Sequence, residues 1–299
     1  MRLAMRLAVV STAVGALLLS ACGSDSLGTE PGAGGAPAES PSAVAKNEAL
    51  AAKLPEKIAQ SGTIVIGVDA SYAPNEFLAA DGKTVEGMDV DLFDAVAAKF
   101  GVKTDWQPAD FTAIITGVQA NKYDVGVSSF TINDERKQQV NMVSYFSAGT
   151  SWATAAGNPK GVDVDNPCGT TIAVQTGTVQ QEEDLPARQA RCGDNPMKIL
   201  PFEGQDRATQ AVVNGQADAM LADSPVVAYA ITQSAGKLEQ LGEIYDSAPY
   251  GIVVPKDQTE FAQALADALT ELKADGTYDA VLQKWNLSDG AISDFAVNP

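Results

Sequence analysis

Four short stretches of the chain set hydroxyls, single charges and free backbone N–H groups directly behind runs of β-branched residues. They are Gly67 to Pro74, Ser128 to Arg136, Gln175 to Gln180 and Asp223-Ser224-Pro225. Groups of these kinds at loops and helix starts can hold a small charged ligand. Hydroxyls and N–H groups meet an anion, a carboxylate meets a cation, and a guanidinium can grip a carboxylate with two parallel bonds. Catalytic patterns are missing. The 299 residues include no His, which excludes a Ser-His-Asp triad, an HExxH zinc site and an imidazole base. Three Cys without His cannot build a four-ligand zinc site. There is no GxSxG, no Walker A loop, no GxGxxG behind a strand and no EF-hand loop. The acid pairs Asp89 with Asp91 and Glu182 with Glu183 read as solvated faces of an acidic chain. The expectation is a binding protein with no cofactor and no metal.

The elements that must position these stretches alternate. Thr63 to Val68 is a buried-strand run, and Asp89 to Phe100 has helical spacing through Leu92, Val96 and Phe100, with Gly101 as a stop. Val102 to Gln107 reads as extended, Phe111 to Ala120 as helical and Asp124 to Ser128 as a strand. The order then repeats: strands at Thr171 to Gln175, Met197 to Phe202 and Ala219 to Ala222, helices at Gln205 to Asn214 and from Pro225 to about Ile231. Two such units predict an α/β protein in two lobes, with ligand loops at strand C-terminal ends. Glu260 to Ala274 closes the pattern as an amphipathic helix with Phe261, Leu265, Leu269 and Leu272 on one face, followed by a short helical segment from Tyr278 to Trp285. Periodicity alone does not assign this pair to either lobe.

Charge and the chain start narrow the setting. Twenty Lys plus Arg face 38 Asp plus Glu, a formal charge of -18, which makes the chain a poor partner for nucleic acid. Arg2 and Arg6 precede an apolar run from Leu7 to Ala21, too short for a comfortable membrane span but suited to a signal peptide over residues 1–21. The run ends Leu19-Ser20-Ala21-Cys22 and resembles a bacterial lipoprotein lipobox, in which Cys22 carries the lipid. An ordinary secretory signal with an incidental Cys is the other reading. Residues 22–46, rich in Gly, Ser, Pro and Ala, read as a flexible tether with an end-to-end distance of roughly 25–30 Å. Loss of the signal leaves 18 basic against 38 acidic residues, a charge of -20, so attachment to the outer face of the cytoplasmic membrane would depend on the lipid. In an exported chain the remaining Cys168 and Cys192 are expected to form a disulfide, with two free thiols as the alternative.

Three further segments carry a resemblance. Tyr72-Ala73-Pro74-Asn75-Glu76-Phe77, Gly87-Met88-Asp89-Val90-Asp91-Leu92 and Asp275-Gly276-Thr277-Tyr278 with Lys284-Trp285, in this order and spacing, resemble the amino-acid-binding solute receptors of bacterial ABC importers (family 3, type II periplasmic-binding-protein fold). The similarity runs from about Gly62 to Trp285. It implies a two-lobed α/β fold with a hinge of two crossings, at 147–154 and 247–254. Lobe 1 would comprise 47–150 plus 251–299, and lobe 2 would comprise 151–250. It also implies a monomer that binds a free amino acid and docks on permease subunits. Arg136 would grip the ligand carboxylate, helped by Thr131 at a helix start, and Asp223 from the other lobe would accept from the ammonium. Tyr72 and Phe111 would flank the side chain, Asp69 would meet a basic or amide end, and Ser128 and Ser129 would sit beside the ammonium. The family's Gly-Thr-Thr is here Gly177-Thr178-Val179, which removes one hydroxyl and keeps the Val179 N–H, with Gln180 as a further side-chain contact.

Plainer roles stand beside these. Tyr72 could pack a loop, Phe111 could be core, Asp69 could cap local N–H groups, Arg136 could pair with Asp134 or Glu135, and Asp223 could cap a helix. Glu76, behind Pro74 in a turn, reads as structural. Two other functions compete with transport: a cyclohexadienyl-type dehydratase on the same fold, for which only Asp69 and Glu76 could serve as the acid, and a receptor feeding a membrane sensor.

Overall fold

The computed structural model describes residues 44–299; the signal run, Cys22 and the tether up to residue 43 lie outside the described residues. Two short helices, α1 (Glu48–Ala51) and α2 (Glu56–Ser61), lead into β1 (Thr63–Val68). A small antiparallel sheet follows, of β2 (Ser71–Tyr72), β3 (Glu76–Leu78) and β4 (Val85–Glu86). Next come α3 (Met88–Phe100), β5 (Lys103–Pro108), α4 (Phe111–Gln119), β6 (Val125–Gly126) and α5 (Asp134–Gln139). β1 pairs in parallel with β5 on one side and β6 on the other, as the βαβα order predicts.

The chain then enters β7 (Asn141–Ala155) and continues through β8 (Thr171–Gln175) and a π-helical turn at Gln180–Asp184 into α6 (Leu185–Gln189). β9 (Lys198–Phe202), α7 (Gln205–Val213), β10 (Ala219–Asp223) and α8 (Ser224–Gln233) complete the second α/β unit. β11 (Leu238–Val254) returns to the first unit, which α9 (Thr259–Ala274) and α10 (Thr277–Lys284) complete. The main sheet has the order β5-β1-β6-β11-β7-β10-β8-β9. At its centre β7 and β11 run antiparallel from Asn141 opposite Val254 to Ala155 opposite Leu238, with register shifts at Leu241/Tyr245, Tyr245/Ala248 and Tyr250/Gly251. One end of this ribbon carries β6, β1 and β5, the other β10, β8 and β9. The fold is therefore a two-lobed open α/β structure whose lobes share one sheet.

Packing explains where the C-terminal helices go. The apolar face of α9, Phe261, Leu265, Leu269 and Leu272, is buried in the same core as Phe93, Val96 and Phe100 of α3, together with Tyr278 and Leu282 of α10. Burying four such side chains contributes on the order of 6–12 kcal/mol as an upper bound. Lys284 Nζ and Trp285 Nε1 both donate to Asp91 Oδ2, at 2.5 and 2.6 Å. Two of the quoted segments, nearly two hundred positions apart, thus meet at one carboxylate. The second lobe has separate cores around Ala173, Val212 and Met220 and around Trp152, Val174 and Leu221. Cys168 and Cys192 form a disulfide between the loop before β8 and the loop that follows α6.

One expectation fails here. Asp89 is not on a solvated face; it is 0% exposed, whereas Asp91 reaches the surface. Two positions on a helix differ by about 200°, so the neighbouring acids point to opposite sides.

Candidate functional site

The strands of both lobes end at one cleft. All eleven candidate ligand contacts line it, and Glu76 and Gln175 line it as well, around free space of about 10 Å³. That is room for about one water, with the two walls of the cleft in contact across it.

The first lobe contributes from the ends of β1 and β6. Asp69, next after β1, is 5% exposed and carries four donors. Oδ1 accepts from Ser71 N–H (3.0 Å) and Ser71 Oγ (2.6 Å), and Oδ2 accepts from Phe111 N–H (3.2 Å) and Gln175 Nε2 (2.8 Å). Asp69 therefore both ties local backbone and faces the cleft. Phe111 opens α4, lines the cleft and stacks on Phe130 with centroids 4.4 Å apart. The Arg136 guanidinium carbon lies 5.5 Å from each of these two rings, within reach of a cation–π attraction. Arg136 is 7% exposed and makes no pair with Asp134 or Glu135; its Nη1 donates to the Thr131 carbonyl (2.8 Å) and its Nη2 to the Gly177 carbonyl (2.9 Å). Thr131 is not at the helix start as expected. Asn133 is the N-cap of α5, accepting from Arg136 N–H at 2.9 Å, while Thr131 bridges to Tyr250 two residues upstream.

The second lobe contributes from β8 and β10. Asp223 precedes α8 but its side chain makes no cap bond; Oδ1 accepts from Gln180 Nε2 and Oδ2 from the Tyr250 hydroxyl, both at 2.7 Å. Thr178 Oγ donates back to the Gln175 carbonyl at 2.8 Å, so its hydroxyl is engaged by its own turn. Val179 leads the π-helical turn, and Gln180 also reaches Thr150 Oγ at 3.1 Å. Bonds cross the cleft at several points: Gln175 to Asp69, Arg136 to Gly177, the Asp223 N–H to the Tyr72 hydroxyl (3.1 Å) and the Gln205 N–H to Ser71 Oγ (3.0 Å).

Burial sets the electrostatics. It pushes Asp69 up to about 6 against the opposing bonds from Ser71 and Phe111. Asp223 is also raised by burial, and the bonds from Tyr250, Gln180 and Tyr72 and the charge of Arg136 pull it back. Burial lowers Arg136, with Glu182 and Asp223 opposing. Glu76 is raised well above the carboxylate range by burial and then by Asp89 beside it.

Glu76 and Gln175 are the cleft residues not assigned to it from the sequence. Glu76 was expected to be structural, and nothing local indicates that its carboxyl turns inward. Gln175 is the last residue of a five-residue strand, where alternation is too short to tell which face it takes.

Residues 64–288 match the model of the bacterial extracellular solute-binding proteins, family 3. The chain belongs to this family. Among its relatives, the arginine-binding protein ArgT of Corynebacterium glutamicum is 35% identical over 83% of this chain and 82% of its own length. The lysine/arginine/ornithine-binding periplasmic protein of Escherichia coli K12 is 31% identical over 78% of this chain and 89% of its own. The solved structure of an ancestral arginine-binding protein bound to arginine superposes with a TM-score of 0.70 at 33% identity, covering 75% of this chain and 98% of that one. All three are amino-acid-binding proteins by name.

Proposed function

We propose that this family 3 protein is an extracytoplasmic receptor that binds a cationic L-amino acid, arginine first, between its lobes and delivers it to an ABC permease. The observation that carries the reading is the charge inventory of the cleft. Three carboxyl groups line it with one guanidinium, Arg136; burial beside Asp89 pushes Glu76 well above the carboxylate range and toward its neutral form, which leaves Asp69 and Asp223 to meet cations. The complement is a ligand with two cationic groups and one carboxylate. Arg136 and the Val179 N–H would take the α-carboxylate, Asp223 the α-ammonium and Asp69 the side-chain cation, with Tyr72 and Phe111 along the aliphatic stem. Ser128 and Ser129 would sit by the ammonium, Thr131 beside Arg136 at the carboxylate, and Thr178 and Gln180 would shape the second-lobe wall. Charge-assisted bonds of this kind contribute about 1.5–3 kcal/mol each. The names of the two relatives and of the ancestral structure support arginine; an amide ligand such as glutamine is next, since Asp69 can accept from an amide N–H as well.

Asp69 and Asp223 lie in different lobes, so full binding energy exists only with the cleft closed, and ligand would drive closure. The crossings at 147–154 and 247–254 would be the hinge, separating 47–150 plus 251–299 from 151–250. Cys22 would carry a lipid that holds a monomer at the outer face of the membrane, with 22–46 as its leash.

Thermal-shift screening against the twenty amino acids and ornithine is the test. Arginine is expected to give the largest shift, since a ligand at a hundred times its Kd stabilises by about 2.7 kcal/mol. No shift with any of them, or a larger one with glutamate than with arginine, overturns the reading. Arg136→Ala is expected to weaken arginine at least 100-fold by calorimetry, and retained affinity would place the carboxylate elsewhere. Palmitate labelling lost in Cys22→Ser would support the anchor.

A further inference from the structure

Behind the Ser128–Ser129 turn of the cleft, two carboxyl groups meet where solvent does not reach. Glu76 on β3 and Asp89 in the first turn of α3 are both 0% exposed, and the Ser129 hydroxyl reaches both, 3.2 Å from Glu76 Oε2 and 3.5 Å from Asp89 Oδ2. Two carboxyl groups can share a hydrogen bond only if one holds a proton. Among the described residues neither is in an ion pair with Lys or Arg. The ionisable groups facing the pair are Asp69, Tyr72 and Tyr145, none of which supplies a positive charge. Arg136, in the same cleft, donates to two carbonyls instead.

The partners indicate where the proton sits. Asp89 Oδ2 accepts from the Tyr145 hydroxyl at 2.6 Å and from Ser129 N–H at 3.1 Å. Its place in the first turn of α3 favours an anion through the helix dipole. Asp89 Oδ1 is buried and receives no N–H or hydroxyl from elsewhere. Glu76 meets only the hydroxyls of Ser128 (3.3 Å) and Ser129 (3.2 Å). A Glu76 O–H pointing at Asp89 Oδ1 satisfies the one carboxyl oxygen of the pair that otherwise has no donor.

We infer that Glu76 and Asp89 share a single proton at neutral pH, carried on Glu76 and donated to Asp89 Oδ1, and that neutral Glu76 is a positioning residue for the Ser128–Ser129 turn. Ser129 needs such bracing: its φ of +50° is in the left-handed region that non-glycine residues seldom occupy. Asp89 holds its N–H, while Glu76 and Asn75 hold its hydroxyl. Ionising Glu76 would put a second buried negative charge beside Asp89 and break the acid–acid bond, so the turn would lose two supports together. The positioning part rests on the proposed reading that this turn lines an amino-acid site; the proton does not.

Infrared difference spectra of the full chain at pH 7, wild type against Glu76→Gln, are expected to show the carbonyl stretch of a protonated carboxylic acid present only in wild type. In melts from pH 5 to 8, wild type is expected to lose stability relative to Glu76→Gln. The folded acid keeps a proton that the unfolded chain releases, and Gln keeps none. By calorimetry Glu76→Ala is expected to bind arginine at least 10-fold more weakly, with Glu76→Gln recovering most of the loss. No protonated-acid band at pH 7, or parallel pH profiles, overturns the shared proton, and equal affinity of the Ala variant and wild type overturns the positioning role. Should the Ala variant fail to fold, the wild-type spectrum and the Gln variant still decide. If wild type binds no amino acid, the proposed function fails while the infrared and stability measurements still judge the proton.

Discussion

Asp69 is a carboxylate already holding four donors, three of them from its own lobe, so a ligand cation at the cleft competes only with the Gln175 amide from across it. Burial has raised the folded value to about 6 from 3.8, so without ligand this group favours folding most below the unfolded value and loses that contribution as pH rises through 6. A bound cation needs the ionised form and reverses the preference. Arginine affinity measured by calorimetry should therefore fall as pH drops through about 6, approaching tenfold per unit below it, and Asp69→Asn should bind weakly with that step gone. A flat profile in wild type would remove Asp69 from the cation site. How far such residues could be read from sequence depended on their neighbours. Arg136, Asp223 and Asp69 stand in segments with a family pattern, and the structure brings them to one cleft. Glu76 and Asp89 did not give themselves away, because an inward turn of one carboxyl is set by another thirteen positions later and by the backbone between them.

That backbone is an element-scale device. Gly87 precedes α3 with φ 143°, and a Cβ there would stand 2.0 Å from the Asn75 carbonyl oxygen, which accepts from Asp89 N–H at 2.9 Å. The close approach sets the β2–β3 turn against the α3 N-terminus and so puts Glu76 beside Asp89. Gly87→Ala is expected to cost about 3 kcal/mol or more in chemical denaturation, while Gly82→Ala, with φ 68° and nothing within 4 Å, should cost about 1 kcal/mol. Similar losses in both would show that the contact is not what matters. The helices and short parallel strands were readable from period and punctuation. The lengths of β7 and β11 were not. β7 is buried on both faces along nearly all of its 15 residues, which erases the alternation that marks a strand, and β11 changes register three times. Only the second half of β7, at 147–154, and the last eight residues of β11, at 247–254, stood out in the sequence, each with a Gly among small or β-branched residues.

For the whole molecule, composition excluded more than it chose. A charge of -18 argued against nucleic acid, yet the cleft turns on three charged side chains, and the bulk acidity says nothing about which amino acid they fit. The disulfide lies wholly in the second lobe and closes a loop with a sequence separation of 24. The double variant Cys168→Ala/Cys192→Ala should lose about 3–4 kcal/mol of stability in denaturant melts and, while folded, still bind arginine within a few-fold. Loss of binding in a variant that remains folded would mean the staple shapes the cleft and not only its lobe. The path of the chain has a further consequence. Val44, Leu50 and Ile58 pack into the first-lobe core, and at the other end Asn298 and Val297 pair with Met142 and Val143 at the start of β7. Both ends of the described chain are thus fastened to one lobe, and the other hangs from it as a loop on two strands. A force applied through Val44 and Pro299 would run across the first lobe alone and leave the second unloaded. In a single-molecule pulling experiment the first lobe would carry the tension, and the second would enter the load path only once β7 or β11 had been stripped from the sheet.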